Sequence, residues 1–307
     1  MTGWRLVSDV GGTNVRFARA AAGSLMALQA YPVANHKSFY AALQAYIAAT
    51  GGPDGCTGAA IGAAGPVSAG KVRLTNLAWE ISEEEVSSAL GKPCKLVNDV
   101  EAAAFAVPYI SRKRFSAIGV LSPDPAQMHR AVVANIGTGF GAATLIRNGT
   151  VWVSCPGEAG HMSLCFPDWD EPALPRQFPS VEHVLSGRGI ANLHAALSKE
   201  PAQLAAPEIF ERAGTDPHCA ATLRLFTRIA GNVLGNLVLA SAAWDGVFLC
   251  GSVARSLAKS ADTQLFREAF EGTGPRAEWL GRVPVALLTD ENPALAGLAV
   301  LPLPASL

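Results

Sequence analysis

The sequence has few of the features that mark disulfide-stabilised, zinc-binding or nucleic-acid-binding proteins. Its six cysteines are scattered over 307 residues without a C-x-x-C pair, so neither a disulfide framework nor a four-ligand zinc site is predicted. Charged residues make up 16 % of the chain, and 24 Lys and Arg balance 25 Asp and Glu. Because this balance leaves no basic stripe for a phosphate backbone or an anionic membrane, nucleic acid is not expected as a main partner.

Long hydrophobic runs are missing as well. The first apolar run, Leu6 to Val10, is short and is interrupted by Asp9, so no signal peptide is predicted. The most membrane-like stretch, Ile229 to Trp244, contains polar side chains and is too short for a membrane span. It predicts a buried helix instead. We therefore expect no membrane contact and a cytoplasmic location.

The chain is instead rich in apolar residues and glycine. Hydrophobic residues make up 50 % of the sequence and 30 residues are glycine, a composition that is typical of ordered globular proteins. Because one compact core seldom holds a chain of this length, two domains are predicted. Short apolar segments that end in glycine alternate with helical patterns such as Lys37 to Thr50, which favours an α/β fold.

Two segments repeat one pattern, in which a strand, a glycine-rich turn and a second strand follow each other. The first extends from Arg5 to Ala20 with the tip Gly11-Gly12-Thr13-Asn14, and the second from Ala131 to Ile146 with the tip Gly137-Thr138-Gly139. Both predict β-hairpins, and their repetition predicts two similar domains that face one ligand. Glycine lets backbone N–H groups approach an anion closely, and threonine adds a hydroxyl donor. Taken alone, either tip is explained as a tight turn, and the repetition is what favours phosphate binding.

Other types of phosphate-binding loop are excluded by their motifs. No G-x-x-x-x-G-K-[ST] segment occurs, and no G-x-G-x-x-G opens a helix after the first strand. Asp9, at the end of the first strand, is a candidate for binding Mg²⁺ through water. The alternative is a carboxylate that bonds the backbone of its own turn. Gly251 is a further candidate contact, because a buried strand stops there before a helix starts.

A carboxylate at a strand end is the candidate general base. The short strand Cys94 to Val97 leads into Asn98-Asp99, and a strongly helical stretch follows. At that place Asp99 is able to take the proton of a hydroxyl group that attacks a phosphoryl group. The structural alternative is equally open at this point, because Asp99 is also a good helix N-cap.

A glycine-rich loop carries the candidate sugar ligands. Glu158 and His161 lie together in Pro156-Gly157-Glu158-Ala159-Gly160-His161, and Glu182 follows. Carboxylates accept charge-assisted hydrogen bonds from hydroxyl groups, so this set suits a polyhydroxylated ligand. One alternative is a solvated loop with a helix-capping glutamate. Another is a metal site of Cys155, His161 and Cys165, which has irregular spacing and lacks a fourth ligand.

In their order and approximate spacing, these motifs resemble those of the bacterial glucokinase family, the group of sugar kinases that lacks a zinc-binding cysteine cluster. The resemblance extends over nearly the whole chain. The segments that carry it are Asp9-Val10-Gly11-Gly12-Thr13-Asn14, Thr75-Asn76 with Trp79, Asn98-Asp99, Gly137-Thr138-Gly139, Pro156-Gly157-Glu158-Ala159-Gly160-His161, Glu182-His183-Val184-Leu185-Ser186-Gly187 and Gly251-Ser252.

The resemblance implies the actin-like ATPase (ribonuclease H-like) fold, with two α/β domains around a ligand cleft. It implies a small N-terminal domain of residues 1–109, to which 292–307 return, and a large domain of residues 110–291. Sugar binding is expected to draw the domains together, which excludes water from the reaction.

The resemblance also implies the ligands and their residues. MgATP is expected to bind at the two hairpins and near the late strand, through Asp9, Gly11, Gly12, Thr13, Asn14, Gly137, Thr138, Gly139 and Gly251. Glucose is expected to bind to Asn76, Asn98, Asp99, Glu158, His161 and Glu182. Asp99 is expected to accept the proton of the sugar 6-hydroxyl as it attacks the γ-phosphate.

ATP-dependent phosphorylation of glucose is therefore the leading expectation. The alternatives are a kinase for another hexose or an amino sugar, a sugar-sensing regulator, and an actin-like or chaperone ATPase. A regulator needs a DNA-binding module, for which the sequence before Arg5 has no room, and the Asn, Glu and His groups of the sugar site disfavour a chaperone. The expected partner is the small-molecule substrate, and a homodimer is compatible with the sequence.

Overall fold

The structure is a computed structural model that describes residues 3–74, 79–165, 174–199 and 204–304. The chain divides into two compact units. Unit 1 comprises Met1–Tyr109 and Glu291–Leu307, and unit 2 comprises Ile110–Asp290. No helix within the described ranges combines the length and the apolar character that a membrane crossing requires.

The regular elements alternate between strands and helices, as the sequence predicts. The strands are β1 (Trp4–Val10), β2 (Asn14–Ala21), β3 (Ser24–Pro32), β4 (Cys56–Ala63), β5 (Lys71–Arg73), β6 (Glu80–Ser82), β7 (Cys94–Asn98), β8 (Phe115–Ala117), β9 (Arg130–Ile136), β10 (Phe140–Asn148), β11 (Val151–Gly157), β12 (Val247–Cys250) and β13 (Val285–Leu288). The helices are α1 (Phe39–Ala49), α2 (Glu83–Leu90), α3 (Asp99–Ala106), α4 (Leu174–Gln177), α5 (Gly187–Ser198), α6 (Ala206–Arg212), α7 (Pro217–Ser241), α8 (Ser252–Ser260), α9 (Thr263–Glu271), α10 (Pro275–Leu280) and α11 (Pro293–Val300). Short 3-10 turns include Ala159–His161 and Val181–His183.

Both units are built on the same sheet topology. The strand order is β3-β2-β1-β4-β7 in unit 1 and β11-β10-β9-β12-β13-β8 in unit 2. In each unit the first three strands of this order are antiparallel to their neighbours, and the next two strands run parallel to the third, which is β1 in unit 1 and β9 in unit 2. The repeated glycine-tipped hairpin of the sequence is therefore part of a repeated five-strand arrangement, to which unit 2 adds β8 in antiparallel pairing.

Unit 1 is held together by an aromatic core and by the close packing of α11 on α3. Phe17 stacks on Tyr46 of α1 with ring centroids 5.1 Å apart. Gly297 of α11 lies so close to α3 that a Cβ there would overlap the carbonyl oxygen of Ala102. The C-terminal helix thereby supports the helix that begins at Asp99.

Arg5 ties the same helix to the first strand. Its Nη1 donates hydrogen bonds to the carbonyl oxygens of Leu298, Ala299 and Leu301, at 3.0, 3.1 and 2.6 Å. These acceptors lie at the C-terminal end of α11, where carbonyl groups lack helical partners and where a cation is favourable. Burial lowers the pKa of the guanidinium.

The membrane-like stretch of the sequence belongs to α7, as predicted for a buried helix. A Cβ on Gly231 would lie 2.6 Å from the carbonyl oxygen of Phe266 in α9, and one on Gly235 would overlap that of Phe270. The two glycines therefore allow close helix packing, which is a structural function and needs no ligand. The stretch Pro167 to Pro179 is rich in proline and acidic residues, which predicts a surface loop. This prediction is wrong in part, because Leu174–Gln177 is helical, while residues 166–173 lie outside the described ranges.

The cysteines provide a direct test of the fold. All six are free thiols, with Cys155 and Cys165 exposed and Cys56, Cys94, Cys219 and Cys250 buried. Burial, with Glu83 nearby, raises the pKa of Cys94 to about 12, so this thiol stays protonated and unreactive at neutral pH. We expect a chromogenic disulfide reagent to titrate two thiols rapidly in the native protein and six after denaturation. A third rapidly reacting thiol would contradict the packing described here.

Candidate active site

The first glycine-rich tip joins β1 to β2 in unit 1. The Gly11 N–H donates to the carbonyl oxygen of Asn14 at 3.0 Å, and the carbonyl oxygen of Thr13 accepts the Val33 N–H at 2.9 Å. Gly12 and Thr13 are exposed. A Cβ built on Gly12 meets no atom of the described residues within 4 Å, which leaves room for a ligand beside this backbone.

Asp9 faces Arg16 across the hairpin. The two residues are register partners of β1 and β2, and Arg16 Nη1 donates to Asp9 Oδ2 at 3.1 Å. Burial raises the pKa of the Asp9 carboxyl above its usual value. The charge and the hydrogen bond of Arg16 act in the opposite direction but do not cancel this effect. This pairing with a cation replaces the bond to its own turn that was the structural alternative for Asp9.

Asn98, rather than Asp99, is the N-cap of α3. Asn98 Oδ1 accepts the Val100 N–H at 2.9 Å, and its Nδ2 donates to the carbonyl oxygen of Gly65 at 3.1 Å. Asp99 is the first helical residue, and its Oδ1 also accepts the Val100 N–H at 2.9 Å. The N-cap alternative for Asp99 is therefore wrong by one residue, because Asn98 keeps the extended backbone that a cap requires.

Glu101 completes the start of this helix. A hydrogen bond from the Asn98 backbone N–H and the charge of Lys95 lower the pKa of Glu101, but burial outweighs them and raises it. Asn98 and Glu101 have the spacing of a capping box, but the Asn98 side chain accepts the Val100 N–H rather than the Glu101 N–H. The helix start that carries Asp99 is held by the Val100 N–H, which donates to both Asn98 Oδ1 and Asp99 Oδ1.

The Asp9 turn and the Asn98-Asp99 turn lie at the same edge of the unit 1 sheet. Val10 pairs with Ala63 of β4, and Ala63 pairs with Asn98 of β7, in parallel register. The carboxyl ends of parallel strands form the common ligand-binding edge of α/β sheets. The first tip, Asp9 and Asp99 are therefore gathered at one edge.

The second glycine-rich tip meets two helix starts in unit 2. The Gly137 N–H donates to the carbonyl oxygen of Gly139 at 3.0 Å, and the Gly187 N–H at the start of α5 donates to that of Gly137 at 2.8 Å. Gly251 precedes α8 with φ +100°, and a Cβ there would overlap Asn135 and Ile136 at the end of β9. Helix N-termini carry free N–H groups and a partial positive charge, so this junction suits an anion.

Glu158 and His161 lie together beside this tip, at the end of β11. Glu158 precedes the 3-10 turn that contains His161. His161 Nε2 is 4.0 Å from Glu158 Oε2, with the two side chains 76 % and 62 % exposed. Both polar groups thus face outward, where they are available to a ligand.

Glu182 lies deeper and contacts the tip itself. Its Oε2 accepts the Phe140 N–H at 2.9 Å, directly after Gly139. A Cβ on Gly139 would stand 2.5 Å from the same oxygen, and one on Gly160 would stand 3.4 Å from Glu182 Cβ. The structure therefore brings Glu182 next to the loop that carries Glu158 and His161.

The predicted site residues within the described ranges thus fall into two groups, one in unit 1 and one in unit 2. Asn76 lies outside the described residues. Within the described ranges no cluster of three or more His, Cys, Asp or Glu side chains is placed to hold a metal ion, so the Cys155, His161 and Cys165 alternative has no support.

Sequence reasoning missed two residues that shape the site. Arg16 was not singled out, although its position opposite Asp9 in a hairpin with a short tip makes the two residues cross-strand neighbours. Glu101 was taken as part of a helical run, although the spacing from Asn98 is the capping-box signal.

The chain is similar over nearly its whole length to proteins described as glucokinases. A family model described as Glucokinase matches residues 6–303. A glucokinase of Nitrobacter hamburgensis is 35 % identical, over 99 % of this chain and 98 % of that protein. The crystal structure of a glucokinase from an Antarctic psychrotroph has a TM-score of 0.80 and 31 % identity, and covers 97 % of this chain and 98 % of its own.

A solved structure of lower sequence identity has the same fold. A ROK family glucokinase from Streptomyces griseus, crystallised with glucose and AMPPNP, has a TM-score of 0.66 at 20 % identity, over 97 % of this chain and 98 % of its own. At this identity the likeness concerns the fold alone. The actin-like ATPase fold predicted from the sequence is confirmed.

Proposed function

The chain belongs to the glucokinase family, and we propose that it transfers the γ-phosphoryl group of ATP to the 6-hydroxyl of glucose, giving glucose 6-phosphate and ADP. The observation that carries this proposal is the match to glucokinases over nearly the whole chain, at 35 % identity to one of them. We further propose a cytoplasmic enzyme, since its thiols are free and its phosphoryl donor is ATP.

Asp99 is the general base of the proposed reaction. Its Oδ1 is held by the Val100 N–H, and the N-cap Asn98, whose Oδ1 accepts the same N–H, fixes the backbone from which the carboxylate projects. A base must be oriented toward the proton that it removes. Removing the proton of the 6-hydroxyl makes the oxygen a better nucleophile as it attacks the γ-phosphorus.

The sugar hydroxyl groups are bound by carboxylate, imidazole and amide groups. Glu158 and Glu182 accept hydrogen bonds, and His161 is able to donate one or accept one. Asn98 contributes its remaining amide N–H, since its Oδ1 and one N–H already bond Val100 and Gly65. Asn76 is proposed as an additional ligand on the resemblance alone.

The nucleotide phosphates are bound by the two glycine-rich tips. Gly11, Gly12, Thr13 and Asn14 form the first tip, and Gly137, Thr138 and Gly139, next to Gly251, form the second. The open space beside Gly12 and the two helix starts beside Gly137 fit a polyphosphate. Asp9 would hold Mg²⁺ through water, since this ion keeps several waters and needs few protein carboxylates, and the ion would neutralise charge on the phosphates.

The Gly12→Ala variant tests whether Gly12 is needed for nucleotide binding or for the stability of the fold. Since φ of Gly12 lies outside the left-handed region and its Cβ would meet no atom within 4 Å in the part of the chain that the structure describes, we expect the melting temperature to stay within about 1 °C. The methyl group enters the space assigned to phosphate, so the Kd for AMPPNP should rise about 10-fold. Calorimetric titration with and without glucose measures this. Unchanged AMPPNP affinity would remove the first tip from the nucleotide site.

A coupled ADP-release assay over a panel of hexoses and amino sugars tests the proposed function. We expect glucose to give the highest kcat/KM, because the ligand set suits a neutral polyhydroxylated sugar. A higher value for another sugar would favour the kinase for a different hexose or amino sugar. Sugar binding without ADP release would favour a sugar-sensing regulator.

A further inference from the structure

Glu182 is placed between the sugar loop and the phosphate tip of unit 2. Its Oε2 accepts the Phe140 N–H at 2.9 Å, which is the first N–H after the Gly137-Thr138-Gly139 tip. Its own carbonyl oxygen accepts the Ser186 hydroxyl at 2.9 Å. Ser186 is the N-cap of α5, so one residue connects the tip with a helix start that faces it.

The surroundings of this carboxylate are shaped by the absence of side chains. Gly139 leaves room for Oε2, which would be 2.5 Å from a Cβ at that position. Gly160 leaves room for the backbone of Phe140, whose carbonyl oxygen would overlap a Cβ there. Glycine at these two positions therefore permits the Glu182 carboxylate to approach the tip. At Gly139 this is a second reason for glycine, besides leaving room for phosphate.

Glu158 offers a matched comparison. It has the same side chain and the same proposed function toward sugar, but it is 62 % exposed, and the imidazole of His161 lies 4.0 Å from its carboxylate. Among the described residues, no hydrogen bond links its carboxylate to the phosphate tip. The two glutamates thus differ in exposure and in the bond to the tip, which Glu182 alone makes.

We propose that Glu182 couples sugar binding to nucleotide binding, an inference that rests on the proposed function of this site. One carboxylate oxygen holds the Phe140 N–H, and the other, which accepts no hydrogen bond from the described residues, accepts one from a sugar hydroxyl. With sugar bound, both oxygens are fixed, and the tip that Oε2 holds is fixed with them. The tip is then ordered before the phosphates arrive, so the nucleotide loses less entropy on binding.

The consequence is a reciprocal coupling between the two ligands. If glucose tightens nucleotide binding by some factor, the nucleotide tightens glucose binding by the same factor. For a coupling through one hydrogen-bonded carboxylate we expect a factor of about 10. Loss of Glu158 weakens sugar binding but leaves this factor in place, whereas loss of Glu182 removes it.

Isothermal titration of AMPPNP with Mg²⁺, without glucose and with saturating glucose, measures the coupling in the intact protein. In the wild type and in Glu158→Ala, glucose should lower the Kd for AMPPNP about 10-fold. In Glu182→Ala the two Kd values should agree within about 2-fold, and the Kd without glucose should exceed that of Glu158→Ala. Glu182→Gln should restore most of the coupling, because an amide oxygen is able to accept the Phe140 N–H. Thermal unfolding confirms that each variant is folded.

The outcomes separate this inference from the proposed function. Equal coupling in Glu182→Ala and Glu158→Ala would overturn the inference, and so would a wild type that phosphorylates glucose without any coupling. If Glu182→Ala binds glucose too weakly for saturation, its Kd for AMPPNP alone decides, and equality with Glu158→Ala overturns the inference. A wild type that neither binds nor phosphorylates glucose would instead overturn the proposed function.

Discussion

Replacing Asp99 by asparagine is expected to lower kcat for glucose about 1000-fold, while the Kd for glucose changes less than about 3-fold. Asparagine cannot take the proton of the 6-hydroxyl. Its Oδ1 is still able to accept the Val100 N–H that Asp99 accepts at 2.9 Å, so the start of α3 keeps its structure. Steady-state ADP release gives kcat, and calorimetric titration gives the glucose Kd.

Asp262→Asn is the matched control for this prediction. Asp262 also lies at a helix start, where it is the N-cap of α9 and accepts the N–H groups of Gln264 and Leu265. It has no part in the proposed site, so kcat should stay within about 2-fold. Comparable activity in the Asp99 and Asp262 variants would exclude Asp99 as the base. A large rise in the glucose Kd of Asp99→Asn with unchanged kcat would reduce Asp99 to a sugar ligand.

Gly297→Ala is expected to destabilise the protein by about 3 kcal/mol or more. A Cβ at this position overlaps the carbonyl oxygen of Ala102 and lies 2.9 Å from the Ala106 nitrogen, so α11 and α3 cannot keep their distance. Both contacts are backbone atoms, which cannot turn aside as a flexible side chain does. Because α3 begins at Asp99, kcat should fall along with stability.

Denaturant unfolding of Gly297→Ala and Gly214→Ala measures the effect. A Cβ on Gly214 meets no atom within 4 Å, so the control should differ from the wild type by less than about 0.5 kcal/mol. Equal midpoints for the two variants would contradict the close packing of α11 on α3. A destabilised Gly297 variant with full activity would show that this packing does not position Asp99.

The local part of the fold was predictable from the sequence. The tips at residues 11–14 and 137–139 mark β-hairpins because glycine and alternating apolar residues specify turn and strands within a few positions. Their repetition predicted the repeated topology, which has the same order over five strands in both units. The strand that leads into Asn98 was predictable for the same reason, although the cap itself was misplaced by one residue.

The contacts that organise the site were not predictable in this way. Glu182 and Phe140 are 42 positions apart, and Ala102 and Gly297 are brought together only by the return of the C-terminal segment to unit 1. Short-range periodicity carries no information on such pairs. Gly139 was interpreted through phosphate or turn chemistry alone, because the carboxylate of Glu182, for which it leaves room, is distant in sequence.

The transfer of phosphate to the 6-hydroxyl of glucose is tested most directly by comparing glucose with 6-deoxyglucose, which lacks the attacked group. ADP release and glucose 6-phosphate formation are measured in parallel with the wild-type enzyme and MgATP. We predict one glucose 6-phosphate for each ADP with glucose, and ADP release at the sugar-free rate with 6-deoxyglucose. ADP release with 6-deoxyglucose at the rate seen with glucose, or ADP without glucose 6-phosphate, would contradict the mechanism.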